Sequence, residues 1–204
     1  MRFFLFPAFC LLAVCSIFFP SRPACAEENS AAREIAVRSV QADFIQEKHL
    51  QILAQPLLSR GRFVFKAPDS LRWEYTSPFH SVLLMDKGRV KKFIEKNGRM
   101  VEDTGMPMNG MQVVMTEISG WLDGRFSDND AFTVRRKGKT VTLIPKKQGM
   151  RAVISAIELH LAEQAGLLQS VTIVEDPGGK SFTRMLFSHA LLNQPIDEHL
   201  FSEP

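Results

Sequence analysis

The chain is predicted to be an α+β protein, mainly β, built as an antiparallel meander with one amphipathic helix laid over one face of a curved sheet. Three observations predict it. Short alternating segments separated by turn residues fill most of the chain. A single segment near the middle changes to a helical period. No cysteine follows Cys25, so packing rather than cross-linking has to hold the domain together.

The first 26 residues stand apart from this pattern. Arg2 precedes an apolar run over residues 3–19, and small residues follow at Ala24 and Ala26, the layout of a cleaved secretory signal. The run is short for a membrane span and is soon followed by Pro20 and Pro23. A lipid-anchored start fits less well. Val14 precedes Cys15 where a small residue is wanted, and Arg22-Pro23-Ala24 before Cys25 lacks the apolar residue such sites carry. Residues 27–204 are therefore expected to form one exported domain, with no repeat or linker dividing it. Removing Arg2 and Arg22 leaves 23 basic against 22 acidic residues, a formal charge of +1. A surface so close to neutral does not steer phosphate, and no nucleic-acid role is expected.

The strands follow in order. Residues 61–66 alternate and end at Ala67-Pro68-Asp69. Residues 71–76 resume with Leu71, Trp73 and Tyr75 on one face and Arg72, Glu74 and Thr76 on the other. Residues 82–85 are apolar on both faces and run into Asp86-Lys87-Gly88. Residues 90–95 then reach Asn97-Gly98, a strong hairpin dipeptide. Further strands are predicted at 131–136, 140–145, 154–161, 167–175 and 180–192. Turns this short make neighbours antiparallel, because parallel pairing needs a crossover. A weakly patterned helix is expected near residues 28–40. A better one is marked by Met108, Met111, Met115, Ile118 and Leu122, widened by Val114 and Trp121 and stopped by Gly124.

Motifs that carry chemistry are sparse. Gly178-Gly179-Lys180-Ser181 looks like part of a P-loop, but the first glycine of that motif would fall on Val174, and the loop joins two strands. A tight hairpin is expected there. His49, His80, His160, His189 and His199 show no ligand spacing, and His160 with Glu158 reads as a solvent-facing pair. Asp123, Asp128 and Asp130 crowd one loop without the glycine and terminal glutamate of a calcium loop, so a solvated turn is expected. No catalytic constellation, metal site or cofactor motif emerges, and the chain is not expected to be an enzyme. What stands out is methionine. Five of the nine lie between Met100 and Met115, and soft, adaptable side chains of this kind suit either an ordinary core or a permissive apolar surface.

The order of the segments resembles the LolA family of periplasmic lipoprotein carriers. Gln41-Ala42-Asp43-Phe44-Ile45-Gln46 is similar to its opening F-x-Q strand. Gly61-Arg62-Phe63-Val64-Phe65-Lys66-Ala67-Pro68 and Leu71-Arg72-Trp73-Glu74-Tyr75 are similar to the two strands that follow. Asp86-Lys87-Gly88, Val141-Thr142-Leu143-Ile144-Pro145-Lys146 and the closing stretch from Asn193 to Phe201 continue the likeness. The resemblance implies an incomplete, half-open antiparallel β-barrel with a helical lid over an apolar cavity. Its walls are expected from Phe63, Phe65, Leu71, Trp73, Tyr75, Val82 and Leu84. The lid is expected from Met108, Met111, Val114, Met115, Ile118 and Leu122.

The resemblance also implies partners: acylated lipoproteins or other envelope lipids as cargo, an inner-membrane ABC release complex as source, and an outer-membrane receptor as destination. A monomer in the periplasm is expected. One departure bears on the cargo. The family's lid-holding arginine before the proline is replaced by Ala67, and Lys66 points to the opposite face. The later aromatic strand is also altered, to Lys91-Lys92-Phe93-Ile94. A different envelope lipid carried on the same fold, or a lipid-sensing regulator, are the alternatives; the second lacks the residues for a further domain.

Overall fold

The computed structural model describes residues 37–104 and 129–204, together with Glu117, Gly120, Trp121, Phe126 and Ser127. The expected signal segment and the lid residues Met108, Met111, Val114, Met115, Ile118 and Leu122 lie outside the described residues. Of the central helix, Glu117, Gly120 and Trp121 are described, and all three are helical.

Eleven strands form one sheet among the described residues. They are β1 (Ser39–His49), β2 (Leu57–Lys66), β3 (Ser70–Ser77), β4 (Ser81–Asp86), β5 (Arg89–Lys96), β6 (Arg99–Glu102), β7 (Phe132–Lys137), β8 (Thr140–Pro145), β9 (Ala156–Leu161), β10 (Leu168–Val174) and β11 (Phe182–Leu192). A short helix α1 (Gln148–Arg151) joins β8 to β9, and a 3-10 turn (Glu198–Phe201) follows β11.

The spatial order is β6-β5-β4-β3-β2-β1-β11-β10-β9-β8-β7. Every neighbouring pair is antiparallel. Two meanders are thus stitched together by β1 against β11, while β6 and β7 remain unjoined edges, so the sheet is open. The hairpin dipeptide behaves as its chemistry requires: Asn97 and Gly98 have φ of 53° and 72°, the left-handed values of a tight strand-matched turn.

One sequence expectation is corrected at the start. Residues 39–40 of the helix expected near 28–40 belong to β1. Val40 pairs with Phe65 on one side and Leu192 on the other, and that two-sided pairing outweighs a weak helical pattern.

Residues directly opposite each other on neighbouring strands share a face. Val40, Phe65, Leu71 and Met85 therefore lie on one face, with Ala42, Phe63, Trp73 and Leu83 beside them. The same bookkeeping puts Met185, Val171 and Leu159 on that face of the other half. These side chains belong to one continuous core cluster, which includes Trp121 of the central helix.

The opposite face of β3 and β4 is covered by the C-terminal segment. Phe201 is buried there, and Asp197 caps the 3-10 turn by accepting from the His199 backbone N–H at 3.0 Å. Arg72 holds the chain end, donating from Nη1 to the carbonyls of Leu200 (3.2 Å) and Glu203 (2.6 Å) and from Nε to Glu74 at 2.9 Å. Burial alone raises the Glu74 pKa, but the hydrogen bonds and charges of Arg72 and His80 prevail and hold it below its ordinary value. Lys66 pairs with Glu198 on this side, so the cation next to Ala67 is committed to anchoring the tail.

Candidate functional site: an apolar cavity inside the curled sheet

The inner face encloses a cavity of about 360 Å³, within the usual range for small-ligand sites of about 300–1,000 Å³. Leu83 of β4 and Val171 of β10 both border it, although four strands separate theirs in the sheet order. Only a sheet curled on itself brings these positions to one space.

One wall is aromatic. Phe44 lies 5.1 Å from Trp73 and 5.3 Å from Tyr75, centroid to centroid, and Phe63 lies 5.5 Å from Trp73 and 6.1 Å from Phe187. These tilted and edge-on arrangements are the favoured ones for aromatic pairs. The other wall is aliphatic, from Ile157, Leu167, Leu168, Val171, Ile173 and Met185, with Trp121 contributed by the helix.

Of the residues expected at the wall, Phe63, Trp73 and Tyr75 border the cavity from the inner face; Val82 also touches it, although its pairing with Glu74 puts its side chain on the outer face with Leu84. Phe65 and Leu71 are not among its lining; both are wholly buried in the core beside it. Leu84 is corrected to the outer face. It pairs with Arg72, and Leu83, opposite Trp73, takes the inner position. Residues 82–85 are all buried, so alternation in the sequence could not distinguish the two faces of β4. The aliphatic wall was not singled out in the sequence, although Ile157/Leu159 and Val171/Ile173 carry the period-2 signal that marks it.

Polar groups are few. Gln46, Ser81, Lys92 and Thr183 border the cavity with the Tyr75 hydroxyl. Tyr75 donates to Gln46 Oε1 at 2.7 Å, Thr183 donates to Glu175 Oε1 at 2.8 Å, and Lys92 pairs with Asp103 at 3.2 Å. Burial pushes the Tyr75 hydroxyl above its ordinary pKa, opposed in part by the Trp73 indole. That indole N–H nevertheless reaches no acceptor in hydrogen-bonding geometry. It is the one buried side-chain nitrogen or oxygen among the described residues without a partner.

The other motifs resolve as local structure. Gly178-Gly179-Lys180-Ser181 is the β10–β11 turn, and its backbone N–H groups at Gly178, Lys180 and Ser181 donate to the Asp176 carboxylate. Those bonds, that of Ser181 foremost, hold the Asp176 pKa below its ordinary value. His160 lies 3.3 Å from the Thr140 hydroxyl. Asp130 is exposed, while Asp123 and Asp128 lie outside the described residues. Among the described residues, no three His, Cys, Asp or Glu side chains gather as metal ligands, and no helix is long and apolar enough to cross a membrane.

The chain is similar to several solved structures at low identity. A DUF1329 family protein from Desulfovibrio piger is 9% identical, with a TM-score of 0.44 over 83% of this chain and 92% of its own. A lipoprotein-sorting protein domain from Vibrio parahaemolyticus is 10% identical, with a TM-score of 0.41 and the same coverage of 83% and 92%. A LolA superfamily protein from Nitrosomonas europaea is 9% identical, with a TM-score of 0.41 over 81% and 90% of the two chains. No curated protein matches by sequence. The family described as outer membrane lipoprotein carrier protein LolA matches residues 36–203, a span that contains the whole of the described sheet. The chain belongs to the LolA family.

Proposed function

We propose that this protein is a periplasmic carrier that shelters the acyl chains of lipoproteins between the inner and outer membranes. The observation that supports it is the cavity, whose two walls come from opposite halves of the sheet and are almost wholly apolar. Burying each CH₂ contributes roughly 0.8 kcal/mol, so a long acyl chain gains on the order of 10 kcal/mol on leaving water. A hollow of this chemistry supplies that gain without any bond being made or broken, and the bound chain leaves when a better apolar site is offered. On this reading, residues 1–26 direct export, an inner-membrane ABC complex loads the carrier and an outer-membrane receptor unloads it. The carrier acts as a monomer, and the helix that contributes Trp121 forms the lid.

Ala67 favours a second cargo. The family's lid-holding arginine is missing, and Lys66 beside it is tied to Glu198 on the outer face. A lid held in another way suits an envelope lipid or glycolipid other than the usual lipoprotein.

Gel filtration with a synthetic triacylated lipopeptide tests both readings. The lipopeptide is expected to co-elute with the protein as a one-to-one soluble complex, while the unacylated peptide elutes alone. A glycolipid that co-elutes when the lipopeptide does not would transfer the assignment to the second cargo. Failure of every acylated probe to bind would contradict the carrier reading.

A further inference from the structure

The exposed apolar loop tips gather at one end of the sheet. The antiparallel register puts the connections 50–56, 78–80, 97–98, 146–155 and 175–181 at that end, and 67–69, 87–88, 138–139 and 162–167 at the other. Ile52 is 88% exposed, Phe79 82%, Val153 62% and Leu53 42%, all in connections of the first set. Among the described residues, no exposed large hydrophobic sits in a connection of the second set. Single exposed apolar residues are ordinary, but their restriction to the loops of one end is not. Residues 50–58 carry no charged side chain, and Leu57 and Leu58 extend the exposed apolar surface into the start of β2. These loops are pinned to their neighbours. The Gln51 backbone N–H donates to Ser181 Oγ at 3.4 Å, and that of Glu95 donates to the His80 carbonyl at 3.1 Å.

Cations interleave with the tips. In sheet order, Lys96 and Arg99 flank 97–98, Phe79 follows, then Ile52 and Leu53, then Lys180, then Lys147 and Arg151 beside Val153. All five cations are exposed. The acidic groups of this end are mostly engaged. Glu175 pairs with Lys48 at 3.2 Å, Glu47 with His49 at 3.5 Å and Glu95 with His80 at 3.2 Å, and Asp176 accepts from its own loop, while Asp130 is exposed. A protein-binding patch is depleted of charge at its core. Apolar tips set among cations suit a bilayer instead, where the tips enter the acyl boundary and the cations meet anionic headgroups.

We infer that this end of the sheet docks on the surface of a phospholipid bilayer, with Ile52, Leu53 and Phe79 inserted and Lys96, Arg99 and Lys180 on the headgroups. Gln46, Tyr75, Ser81 and Thr183 border the cavity toward the same end, so the membrane lies against that end of the cavity. Docking needs no cargo and does not rest on the carrier reading.

Flotation of the cargo-free protein with vesicles of mixed phosphatidylethanolamine and phosphatidylglycerol, and of phosphatidylcholine alone, tests this. Wild type is expected to float with both, and more strongly with the anionic vesicles, an excess that fades as salt rises. Ile52→Ser and Phe79→Ser are each expected to weaken partitioning about tenfold. Lys96→Gln combined with Lys180→Gln should reduce the anionic preference and leave binding to phosphatidylcholine unchanged. Leu191→Ser, exposed at the opposite end of β11, is the matched control and is expected to bind as wild type. Every substituted side chain is exposed, so melting temperatures should stay close to that of wild type. Wild type that floats with neither vesicle would overturn the inference and leave the apolar end to a protein partner, without touching the lipopeptide test of the carrier reading. Wild-type partitioning by both Ile52→Ser and Phe79→Ser would overturn it as well, because the membrane contact would then lie elsewhere.

Discussion

Substituting Gly61 by alanine is expected to destabilise the protein by about 3 kcal/mol, at the upper end of what overpacking a core costs. A Cβ built at this glycine would stand 1.9 Å from the Glu74 carbonyl oxygen and 2.6 Å from Phe44 Cζ. The first of these neighbours is backbone in the adjacent strand and cannot swing aside. The second is a ring wedged against Trp73 and Tyr75, with the centroid separations that shape the aromatic wall. Gly61 is therefore the gap into which Phe44 fits, at a register shift between β2 and β3. In urea unfolding, Gly61→Ala should lower the midpoint at an unchanged slope, and Tm should fall on the order of 10 °C for a chain of this size. A loss under about 1 kcal/mol would show that β3 can move away, and the packing described for this wall would be wrong.

Filling the cavity is expected to separate stability from binding. Ala42 borders the cavity opposite Phe63 and is buried, so Ala42→Phe projects a ring into open space rather than into packed atoms. Stability is expected to hold or rise, since a void loses the contacts that a filled one makes. Acyl-chain affinity should move the other way. Displacing even four methylenes forfeits about 3 kcal/mol, roughly two orders of magnitude in Kd. Val171→Phe approaches from the opposite wall and should act alike. Calorimetric titration with the triacylated lipopeptide, alongside thermal unfolding, gives both quantities. Wild-type affinity in two stably folded variants would mean that the chain binds elsewhere.

These outcomes bear on how far the molecule can be read from its residues. The aromatic wall was legible. Phe63, Trp73 and Tyr75 alternate with polar neighbours, and alternation is the direct signature of a half-buried strand. Leu84 was not, because β4 is buried on both sides. Its outer cover is the C-terminal segment held by Arg72, more than a hundred residues away, and pairing at that separation leaves no local mark. The same holds for the aliphatic wall. Val171 and Ile157 announce strands, but nothing local says that β10 and β9 curl round to face Trp73. The link between them is β1 pairing with β11, which joins the two meanders into one open sheet. Nor does composition reveal that Gln46, Tyr75, Ser81 and Thr183 lie toward one end of the cavity, with Lys92 level with Trp73, since these positions meet only through register.

The central claim is that an acyl chain lies inside the curled sheet. The chain's two tryptophans, Trp73 and Trp121, both border that space, so their fluorescence reports on it without a label. Titration with a lipopeptide brominated along its acyl chains is the most direct measurement, because bromine quenches indole emission only at close contact. Strong quenching of both tryptophans, matched by saturation at one lipopeptide per protein, is the expected result. A lipopeptide that binds while both tryptophans keep their full emission would place the lipid outside the cavity and contradict the claim.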